Sequence, residues 1–341
     1  WEIEKIWYPK HLSLEQCSSE ITARYKARLL QGDSLTDLTG GFGIDCSFLA
    51  TGFKSATYVE RQEELCEIAA HNFPVLNLNH INIKNEDGVT YLQVMSPVDS
   101  LFLDPARRNE HGGKTVAISD CEPNVAELEE LLLQKANRVM IKLSPMLDLS
   151  LALKELKHTQ EVHILSVNNE CKELLILLGQ TSPAEISIHC VNLFTKGTQK
   201  EQHFVFTREQ EQCSECTYTD SLETYLYEPN ASLLKAGAFR SIAAAYPVRK
   251  LHPNSHLYTS DTFIENFPGR IFRIVNQCSF NKKEVKENLA DLKKANVTVR
   301  NFPATVAELR KRIHLAEGGD TYLFASTLNN GQKVLIRCEK V

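Results

Sequence analysis

The sequence predicts an α/β protein in which a doubly wound parallel sheet follows an N-terminal helix and precedes a smaller α+β module. Short β-rich apolar runs alternate with helical patterns between residues 34 and 195, and a different order of elements begins after residue 221. Such alternation is typical of βαβ units, whose parallel sheet is covered by helices on both faces. The 341 residues are enough for two or three domains with sizeable cores.

The first part of the chain can be assigned element by element. Ser13 and Gln16 have the spacing of a capping box, which predicts a helix over 13–30 that Gly32 ends. The predicted strands are 34–38, 56–59, 81–83, 100–103, 138–143 and 162–167. The helices predicted between them are 44–50, 62–72, 123–136 and 149–156.

The later elements are assigned in the same way. The short apolar run 173–178 fits a strand or a helix, whereas 185–194 and 203–206 are predicted as strands of an antiparallel edge. The polar segment 207–221 is predicted to be a linker. Asn330-Gly331 predicts a hairpin turn in which both residues have positive φ. In the C-terminal module the predicted helices are 231–245, 283–295 and 306–313, and the predicted strands are 270–275, 297–300, 321–326 and 333–338.

The composition excludes several classes of protein. Charged residues make up 24% and hydrophobic residues 43% of the chain, which is ordinary for a globular protein and unlike a disordered or collagenous one. No apolar run approaches the roughly 18 residues that a membrane-spanning helix needs. Ten cysteines occur singly apart from Cys213 and Cys216, which lack the second pair of a structural zinc site. We therefore expect no metal, no membrane partner and a reducing, cytoplasmic compartment.

The two parts of the chain differ in charge. The formal net charge is −5, yet residues 235–341 carry 18 basic and 9 acidic side chains, which leaves 20 basic and 34 acidic ones in residues 1–234. Cations interleaved with aromatic residues combine phosphate neutralisation with base stacking, so the basic part predicts an RNA-binding module. The alternative is that each basic group is an exposed helix face and that the phenylalanines belong to a core.

The first βα turn carries a glycine-rich motif in which Asp37 is followed by Gly40, Gly41 and Gly43. Asp37 ends the predicted strand, and the glycines allow a sharp bend in which the backbone can approach a ligand. In a doubly wound sheet a nucleotide-like ligand lies here, at the carboxyl ends of the strands. The spacing is not the G-x-G-x-x-G of dinucleotide-binding proteins, and no G-x-x-x-x-G-K-[ST] loop occurs, so NAD and ATP are disfavoured.

Three further predicted strands are followed by acidic residues. Glu60 ends the second strand, where a carboxylate can accept hydrogen bonds from both hydroxyls of a ribose. Asp87 follows the third strand, and Asp104 with Pro105 follows the fourth. Each alone could be an ordinary loop residue or a helix cap. Together with Asp37, however, they mark four successive strand ends, which indicates a ligand site.

Several motifs carry a family resemblance. EQCSSEITARYKA, DLTGGFGID and FLDPARR, together with the order of the strand ends, resemble the class I S-adenosylmethionine-dependent methyltransferases over 34–195. They are also similar to a bacterial branch with C-terminal ferredoxin-like and THUMP-like domains. The resemblance implies an N-terminal segment 1–33, a Rossmann-like methyltransferase sheet over 34–206, a ferredoxin-like part over 222–270 and a THUMP-like domain over 271–341. Because THUMP domains bind RNA, it implies a methyltransferase for ribosomal or transfer RNA.

The resemblance also implies roles for the site residues. Glu60 would hold the ribose hydroxyls of S-adenosylmethionine and Asp87 its adenine. Asp104 and Pro105 would be the catalytic residues. The full set implied to bind the cofactor is Asp37, Thr39, Gly40, Gly41, Gly43, Glu60, Asp87 and Asp104.

The sequence departs from the family pattern after Pro105. Ala106 and Arg107 replace the second proline and the aromatic residue on which amino-group methyltransferases stack a flipped base. Arg107 and Arg108 could clamp a substrate phosphate or pair with acidic residues of their own domain. A carbon-5 pyrimidine methyltransferase would instead need a cysteine nucleophile, for which Cys171 is the candidate. Two other functions stay open: a methyltransferase for a small molecule or protein, and a cofactor-binding RNA adaptor without turnover.

Overall fold

The computed structural model describes residues 4–9, 17–107, 117–181 and 183–341. The chain forms two compact units, Trp1–Glu201 and Gln202–Val341. No helix within the described ranges is long and apolar enough to cross a membrane. The first helix, α1, spans Glu20–Ala27 and is shorter than the predicted helix, whose capping pair Ser13 and Gln16 lies outside the described residues.

The first unit alternates strands and helices as the sequence predicts. Its first half contains β1 (Ser34–Asp37), α2 (Ile44–Ala50), β2 (Ser55–Glu60), α3 (Glu63–Val75), β3 (Ile81–Asn85), α4 (Gly88–Val94) and β4 (Val98–Leu103). Its second half contains β5 (Ala106–Arg107), β6 (Cys121–Glu122), α5 (Val125–Lys135), β7 (Ala136–Leu143), α6 (Leu149–Glu155), β8 (Thr159–Val167), β9 (Glu170–Gly179) and β10 (Ser187–Leu193).

Eight strands of this unit form one sheet in the order β10-β8-β9-β7-β4-β1-β2-β3. Within this set β9 runs against both of its neighbours, and every other pair is parallel. The two segments predicted as edge strands, 185–194 and 203–206, are both strands, β10 (Ser187–Leu193) and β11 (Glu201–Thr207), and β10 lies parallel to its inner neighbour β8. The run 173–178, which fitted a strand or a helix, lies in β9 and supplies the reversal of direction.

The direction of β9 follows from the turn that joins it to β8. Val167 pairs with Glu170, and the two residues between them, Asn168 and Asn169, have φ angles of 49° and 69°. A two-residue hairpin turn of type I′ requires positive φ at both central positions, which asparagine tolerates better than most residues. The Asn-Asn pair is thus the sequence signal for this hairpin.

The core of the first unit packs the sheet against α1 and α2. Tyr25 of α1 and Leu49 of α2 lie against buried apolar side chains of β1, β4, β7, β8, β9 and β10. The central strands β7 and β9 are buried along most of their length. This is expected of strands covered on both faces, so a polar side chain in such a strand stands out.

The second unit is a mixed α+β module. Its elements are β11 (Glu201–Thr207, beginning at the division between the units), α7 (Arg208–Cys213), β12 (Tyr225–Pro229), α8 (Ala231–Ala236), α9 (Phe239–Ala245), β13 (Arg249–Lys250), β14 (Tyr258–Ser260), β15 (Gly269–Ser279), α10 (Lys282–Leu289), β16 (Lys294–Val299), α11 (Val306–Ile313), β17 (Ala316–Thr327) and β18 (Lys333–Lys340). Seven strands form a sheet in the order β13-β14-β12-β15-β18-β17-β16, which is antiparallel apart from the β16-β17 pair. Leu289 of α10 and Leu309 of α11 belong to one core cluster on this sheet.

Four predicted features of this unit differ in the structure. The helix predicted at 283–295 ends at Leu289, and Lys294 and Ala295 already belong to β16. The helix predicted at 231–245 is two helices, because Gly237, with φ of 77°, ends α8 in the left-handed region. The segment 207–221 contains α7, which begins with a capping box of Thr207 and Gln210. In the last hairpin Gly331 has positive φ (86°) but Asn330 does not, so the connection is a longer loop than a two-residue turn.

Candidate active site at the strand ends

Asp37, the last residue of β1, lies at the centre of the carboxyl edge of the sheet. Its side chain is buried, and its Oδ1 accepts a hydrogen bond from the backbone N–H of Thr39 at 3.0 Å. The Thr39 hydroxyl in turn accepts the backbone N–H of Asp104 at 2.6 Å. The ends of β1 and β4 are therefore joined through one threonine side chain. Thr39 was predicted only as a cofactor contact, and its bond to Asp104 shows a structural role as well.

The glycines after Asp37 shape the turn in two ways. At Gly40 a Cβ atom would lie 2.2 Å from the ring of Tyr58, so this position has no room for a side chain. Gly41 has φ of 53°, and a Cβ there would meet only the Thr39 carbonyl, at 3.7 Å. Gly41 thus leaves open space beside the backbone, where a ligand can approach. Gly43 caps the N-terminus of α2.

Glu60, at the end of β2, faces the glycine turn. Its Oε2 accepts the N–H of Gly41 and its Oε1 accepts the N–H of Gln62, both at 2.9 Å. The carboxylate is therefore fixed beside the turn, and each oxygen keeps a lone pair that a hydroxyl could use.

Asp87, after β3, is the N-cap of α4. Its Oδ1 accepts the N–H groups of Val89 and Thr90 at 3.0 Å and the Thr90 hydroxyl at 3.2 Å. All of these bonds end on Oδ1, so Oδ2 makes no hydrogen bond within the described residues. The helix cap and the predicted adenine contact are thus compatible, because they use different oxygens.

Asp104 and Pro105 follow β4 as predicted, but the next residues do not form an open loop. Ala106 pairs with Glu122 and Arg107 pairs with Cys121, so β5 and β6 make a short antiparallel ribbon. The predicted phosphate clamp stays a prediction, since Arg108 and the side chain of Arg107 lie outside the described part of the chain.

Behind Asp104 lies a buried set of charged groups that no sequence motif marks. Lys142 of β7 places its Nζ 2.6 Å from Asp104 Oδ2 and 3.0 Å from Asp45 Oδ2. Lys26 of α1 places its Nζ 3.0 Å from Asp45 Oδ1 and 2.6 Å from Glu173 Oε2. We call these residues, with Ser18, the charged network: Ser18, Lys26, Asp45, Asp104, Lys142 and Glu173.

Ser18 joins the two lysines of the network. Its hydroxyl lies 2.8 Å from Lys26 Nζ, 3.1 Å from Lys142 Nζ and 2.8 Å from Asp45 Oδ2. A hydroxyl has one donor and two acceptor sites, so two incoming N–H bonds and one outgoing bond satisfy it. The segment before α1 therefore belongs to the site, although in the sequence it is marked only as part of a family motif.

Burial and neighbouring charges set the proton affinities of the site carboxyls. Burial raises the pKa of Asp37 to about 8, and Asp45 and Asp104 add to the rise. Burial would also raise the pKa of Asp45, but Lys26 and Lys142 more than offset it and hold that pKa well below its usual range. Loss of hydrating water raises the pKa of Asp104, and the charge of Lys142 opposes this rise. Without a bound cation, Asp37 is therefore mostly protonated at neutral pH.

The candidate nucleophile Cys171 lies in the same sheet. Cys171 is on β9 opposite Ser166, and the neighbouring Lys172 is an exposed side chain whose Nζ lies 2.6 Å from Glu170. The structure thus gives this cysteine an adjacent lysine that is already neutralised, and its role as a nucleophile stays a hypothesis.

A possible cation site is formed on β8 and β10. Glu161, His163 and His189 bring ligand atoms within 4.8 Å of one another. His163 Nδ1 lies 2.8 Å from the Tyr25 hydroxyl and its Nε2 lies 3.2 Å from Glu161, so both ring nitrogens already have partners. We assign no metal to this cluster.

Comparison with known proteins places these features in a family. Two family models match the second unit, a ferredoxin-like domain over 225–268 and a THUMP domain-like model over 269–340. No curated protein gives a significant match. A solved structure from Porphyromonas gingivalis W83, provisionally described as a methyltransferase, is 38% identical, and the alignment covers 100% of this chain and 85% of that one with a TM-score of 0.90.

Other solved structures are much more distant. An rRNA methylase from Streptococcus thermophilus is 16% identical over 47% of this chain and 93% of its own, with a TM-score of 0.33. M. capricolum TrmK, solved with S-adenosyl-homocysteine, is 13% identical over 49% of this chain and 70% of its own, with a TM-score of 0.37. The family assignment therefore depends on the P. gingivalis protein, on the two matched domains and on the strand order. This chain belongs to the class I methyltransferases, in the branch that carries C-terminal ferredoxin-like and THUMP-like domains.

Proposed function

We propose that the protein transfers a methyl group from S-adenosylmethionine to RNA, with the first unit as the catalytic part and the second unit as the RNA-binding part. The observation that carries the proposal is the row of Asp37, Glu60, Asp87 and Asp104 at the carboxyl ends of the adjacent strands β1, β2, β3 and β4. The reaction class is inferred from the methyltransferase family to which the chain belongs. The substrate class is inferred from the positive charge of the second unit.

The residues at this edge suit the chemistry of S-adenosylmethionine. Its cationic methionine part is complemented by the buried Asp37, its ribose diol by the fixed carboxylate of Glu60, and its adenine amino group by the unused Oδ2 of Asp87. Gly41 leaves space for the ligand beside the turn. With its ionisable side chains charged, the charged network carries two positive charges, from its lysines, and three negative charges, from its carboxylates. Its net negative charge therefore also favours a bound cation.

Asp104 is the proposed proton acceptor. Bound S-adenosylmethionine supplies a methyl group that is already activated by sulfonium, so the protein mainly has to position the acceptor and remove its proton. The N–H or O–H proton of the acceptor moves to Asp104, and the electron pair left on the acceptor forms the new bond to carbon. The carbon–sulfur electron pair stays on sulfur, and Asp104 then releases the proton to water.

The charge of the second unit supports RNA as the substrate class. The unit as a whole has 19 basic and 15 acidic residues, but the segment 269–340 alone has 14 basic and 7 acidic ones. The positive charge is therefore concentrated in the part that matches the THUMP domain-like model. Eight cations of this part are exposed and form no ion pair with a described residue: Lys282, Lys283, Lys286, Lys293, Lys294, Lys311, Arg312 and Lys340.

Most of these cations lie on one side of the second sheet. Three belong to α10 and two to α11, and both helices join the same core cluster on the sheet. Cations on neighbouring helices can contact successive phosphates of one RNA backbone. Phe280 lies under Arg312, with the guanidinium carbon 4.3 Å from the ring centroid, so an aromatic residue accompanies the cations.

The proposal is tested in two steps. Calorimetry with S-adenosylmethionine comes first, and absence of binding at millimolar ligand would remove the cofactor from the proposal. Radiolabelled methyl transfer to total RNA from cells that lack the gene comes second. Transfer to RNA supports the proposal, whereas binding without transfer would favour the adaptor function. Transfer to protein or to small molecules in the matching extract would favour the other alternative.

Two broader expectations stay part of the proposal. We propose the cytoplasm as the compartment, because six of the cysteines are buried side chains that suit a reducing environment. We also propose the limits 1–33, 34–206, 207–221, 222–270 and 271–341 for the N-terminal segment, the catalytic domain, the linker, the ferredoxin-like part and the THUMP-like domain.

A further inference from the structure

Lys142 is a buried lysine beside the proposed proton acceptor, and it takes no direct part in the proposed methyl transfer. Its side chain is 10% exposed and lies in the central strand β7, whereas the side chain of Asp104 is 39% exposed. The 2.6 Å ion pair between them therefore connects the interior of the sheet to the edge where the reaction takes place.

The ammonium group of Lys142 is held in place by three acceptors. They are Asp104 Oδ2 at 2.6 Å, Asp45 Oδ2 at 3.0 Å and Ser18 Oγ at 3.1 Å. An ammonium has three N–H donors, so this set uses all of them. Asp45 is itself held by Lys26, whose side chain is fully buried. Lys142 is thus fixed from the interior, and it fixes Asp104 rather than the reverse.

Asp104 is left with one oxygen for chemistry. Its backbone N–H is bound by Thr39 and its Oδ2 by Lys142. Its Oδ1 makes no hydrogen bond within the described residues. A carboxylate held at one oxygen keeps the other in a constant direction, which general base catalysis requires.

We propose that Lys142 is a positioning residue for Asp104: its buried ammonium holds Oδ2, so that Oδ1 accepts the proton of the methyl acceptor. This inference rests on the proposed role of Asp104. It extends that role by naming the group that holds the base in position.

The charges around Asp104 determine what happens when Lys142 is removed. Loss of hydrating water is the largest effect on the pKa of Asp104 and raises it. The positive charges of Lys142 and Lys26 lower this pKa, and the negative charge of Asp45 raises it. Without Lys142 the largest opposing effect disappears, so the pKa of Asp104 is expected to rise further. The titratable groups that face this part of the site are Cys17, Lys26, Asp37, Asp45, Lys142 and Glu173.

The test compares Lys142→Met with Lys142→Arg in the full-length protein. Methyl transfer to total RNA from cells lacking the gene is measured in single turnovers from pH 5.5 to 9.5. We expect the methyl-transfer rate of Lys142→Met to be at least tenfold lower at pH 7. The acid limb of its pH–rate profile should lie higher by a pH unit or more, and the rate should recover at high pH. In Lys142→Arg, which keeps the positive charge, the acid limb should lie near its position in the original protein. An equal loss of rate at every pH would overturn the proposal.

A second measurement does not depend on RNA. Carbon-13 NMR of protein labelled at the aspartate carboxyls, with Asp104→Asn to identify the signal, gives the titration midpoint of Asp104. The midpoint should lie higher in Lys142→Met than in the original protein, and an unchanged midpoint would contradict the inference. If RNA is never methylated but the midpoint shifts, the RNA substrate has failed and the Lys142–Asp104 pairing has not. If Lys142→Met does not fold, Lys142→Gln, which removes the positive charge but keeps a hydrogen-bond donor, replaces it in both measurements.

Discussion

Lys142 Nζ lies 2.6 Å from Asp104 Oδ2, and this ion pair joins a residue that the sequence predicts to be catalytic to one that it does not. Asp104 stands at a strand end, where a motif marks it. Lys142 stands inside a buried strand, and only the three-dimensional structure shows that it contacts Asp104. Substitutions at and around this pair can test whether cofactor binding and proton transfer depend on different residues.

Asp37 and Asp104 are expected to fail in different ways. Asp104→Asn keeps the shape of the side chain but removes the base, so S-adenosylmethionine binding should persist while turnover falls at least 100-fold, within the range of general base catalysis. Asp37→Asn removes a charged contact worth about 1.5–3 kcal/mol, so binding should weaken roughly 10- to 150-fold. Calorimetry and methyl transfer measure the two effects. Equal loss of binding in both variants would show that the roles are misassigned.

Cofactor binding is expected to depend on pH through Asp37. Its pKa is raised to about 8 by burial, so the ligand-free protein carries a proton there at neutral pH. A bound cation favours the carboxylate, so binding below pH 8 should release this proton and affinity should rise with pH up to about 8. Calorimetry in buffers of different ionisation enthalpy counts the protons. Protons that the ligand itself releases are the same for the original protein and for Asp37→Asn, so this variant is the matched control. The same proton release in both proteins would contradict the prediction.

The same group also predicts a change in stability. The pKa of Asp37 is higher in the folded chain than the value of about 3.9 expected when unfolded, so the folded state binds more protons between these pH values. Stability contributed by this group is therefore lost as pH rises from about 4 to about 8. Asp37→Asn should match the original protein near pH 4 and unfold at a higher temperature near pH 8. A variant less stable at pH 8 would contradict this sign.

The strand-end residues were predictable because of a simple geometric rule. The carboxyl ends of parallel strands meet at one edge, so acidic residues after β1, β2, β3 and β4 had to lie in one row. Nothing comparable identifies the charged network. Ser18, Lys26, Asp45, Lys142 and Glu173 are far apart in the sequence, and they meet only because α1 and α2 pack on the sheet beside β7 and β9.

A sequence signal for the network nevertheless existed. Lys142 interrupts the otherwise apolar end of β7, and Glu173 precedes the apolar run of β9. A charge in a strand buried on both faces needs a partner, so each of these residues implied another. The direction of β10 had no such local signal, because it depends on the hairpin that reverses β9.

The buried part of the network is expected to control the stability of the first unit. Lys26→Met leaves Glu173 and Asp45 without a fully buried partner, and loss of one member of a buried pair costs about 3–5 kcal/mol. Urea unfolding followed by tryptophan fluorescence reports on this unit, because both tryptophans, Trp1 and Trp7, belong to it.

Two controls separate burial from simple loss of charge. Lys54→Met breaks an exposed ion pair with Asp33 and should leave the unfolding midpoint nearly unchanged. Lys26→Met/Glu173→Met removes both partners of one pair and should recover part of the loss. Equal midpoints for Lys26→Met and the original protein would show that the network does not stabilise the fold.

RNA affinity is expected to depend on the exposed lysines of α10. Replacing Lys282, Lys283 and Lys286 by glutamine removes three cations that have no carboxylate partner within the described chain. Each phosphate contact contributes a slope of roughly 0.7–0.9 to the dependence of log affinity on log salt concentration. If all three lysines contact phosphates, this slope should therefore fall by roughly 2–3, and affinity at low salt should fall for every RNA sequence to a similar extent.

The matched control changes the same charge on the first unit. Lys54→Gln/Lys154→Gln/Lys196→Gln removes three exposed lysines there, so the net charge of the protein changes equally while the THUMP-like segment is untouched. Filter binding of both triple variants across a salt series distinguishes a local contact surface from the total charge. A surface on α10 requires a smaller slope in the first variant alone. Equal changes in both would mean that only overall charge matters, and the basic segment would then serve solubility rather than RNA binding.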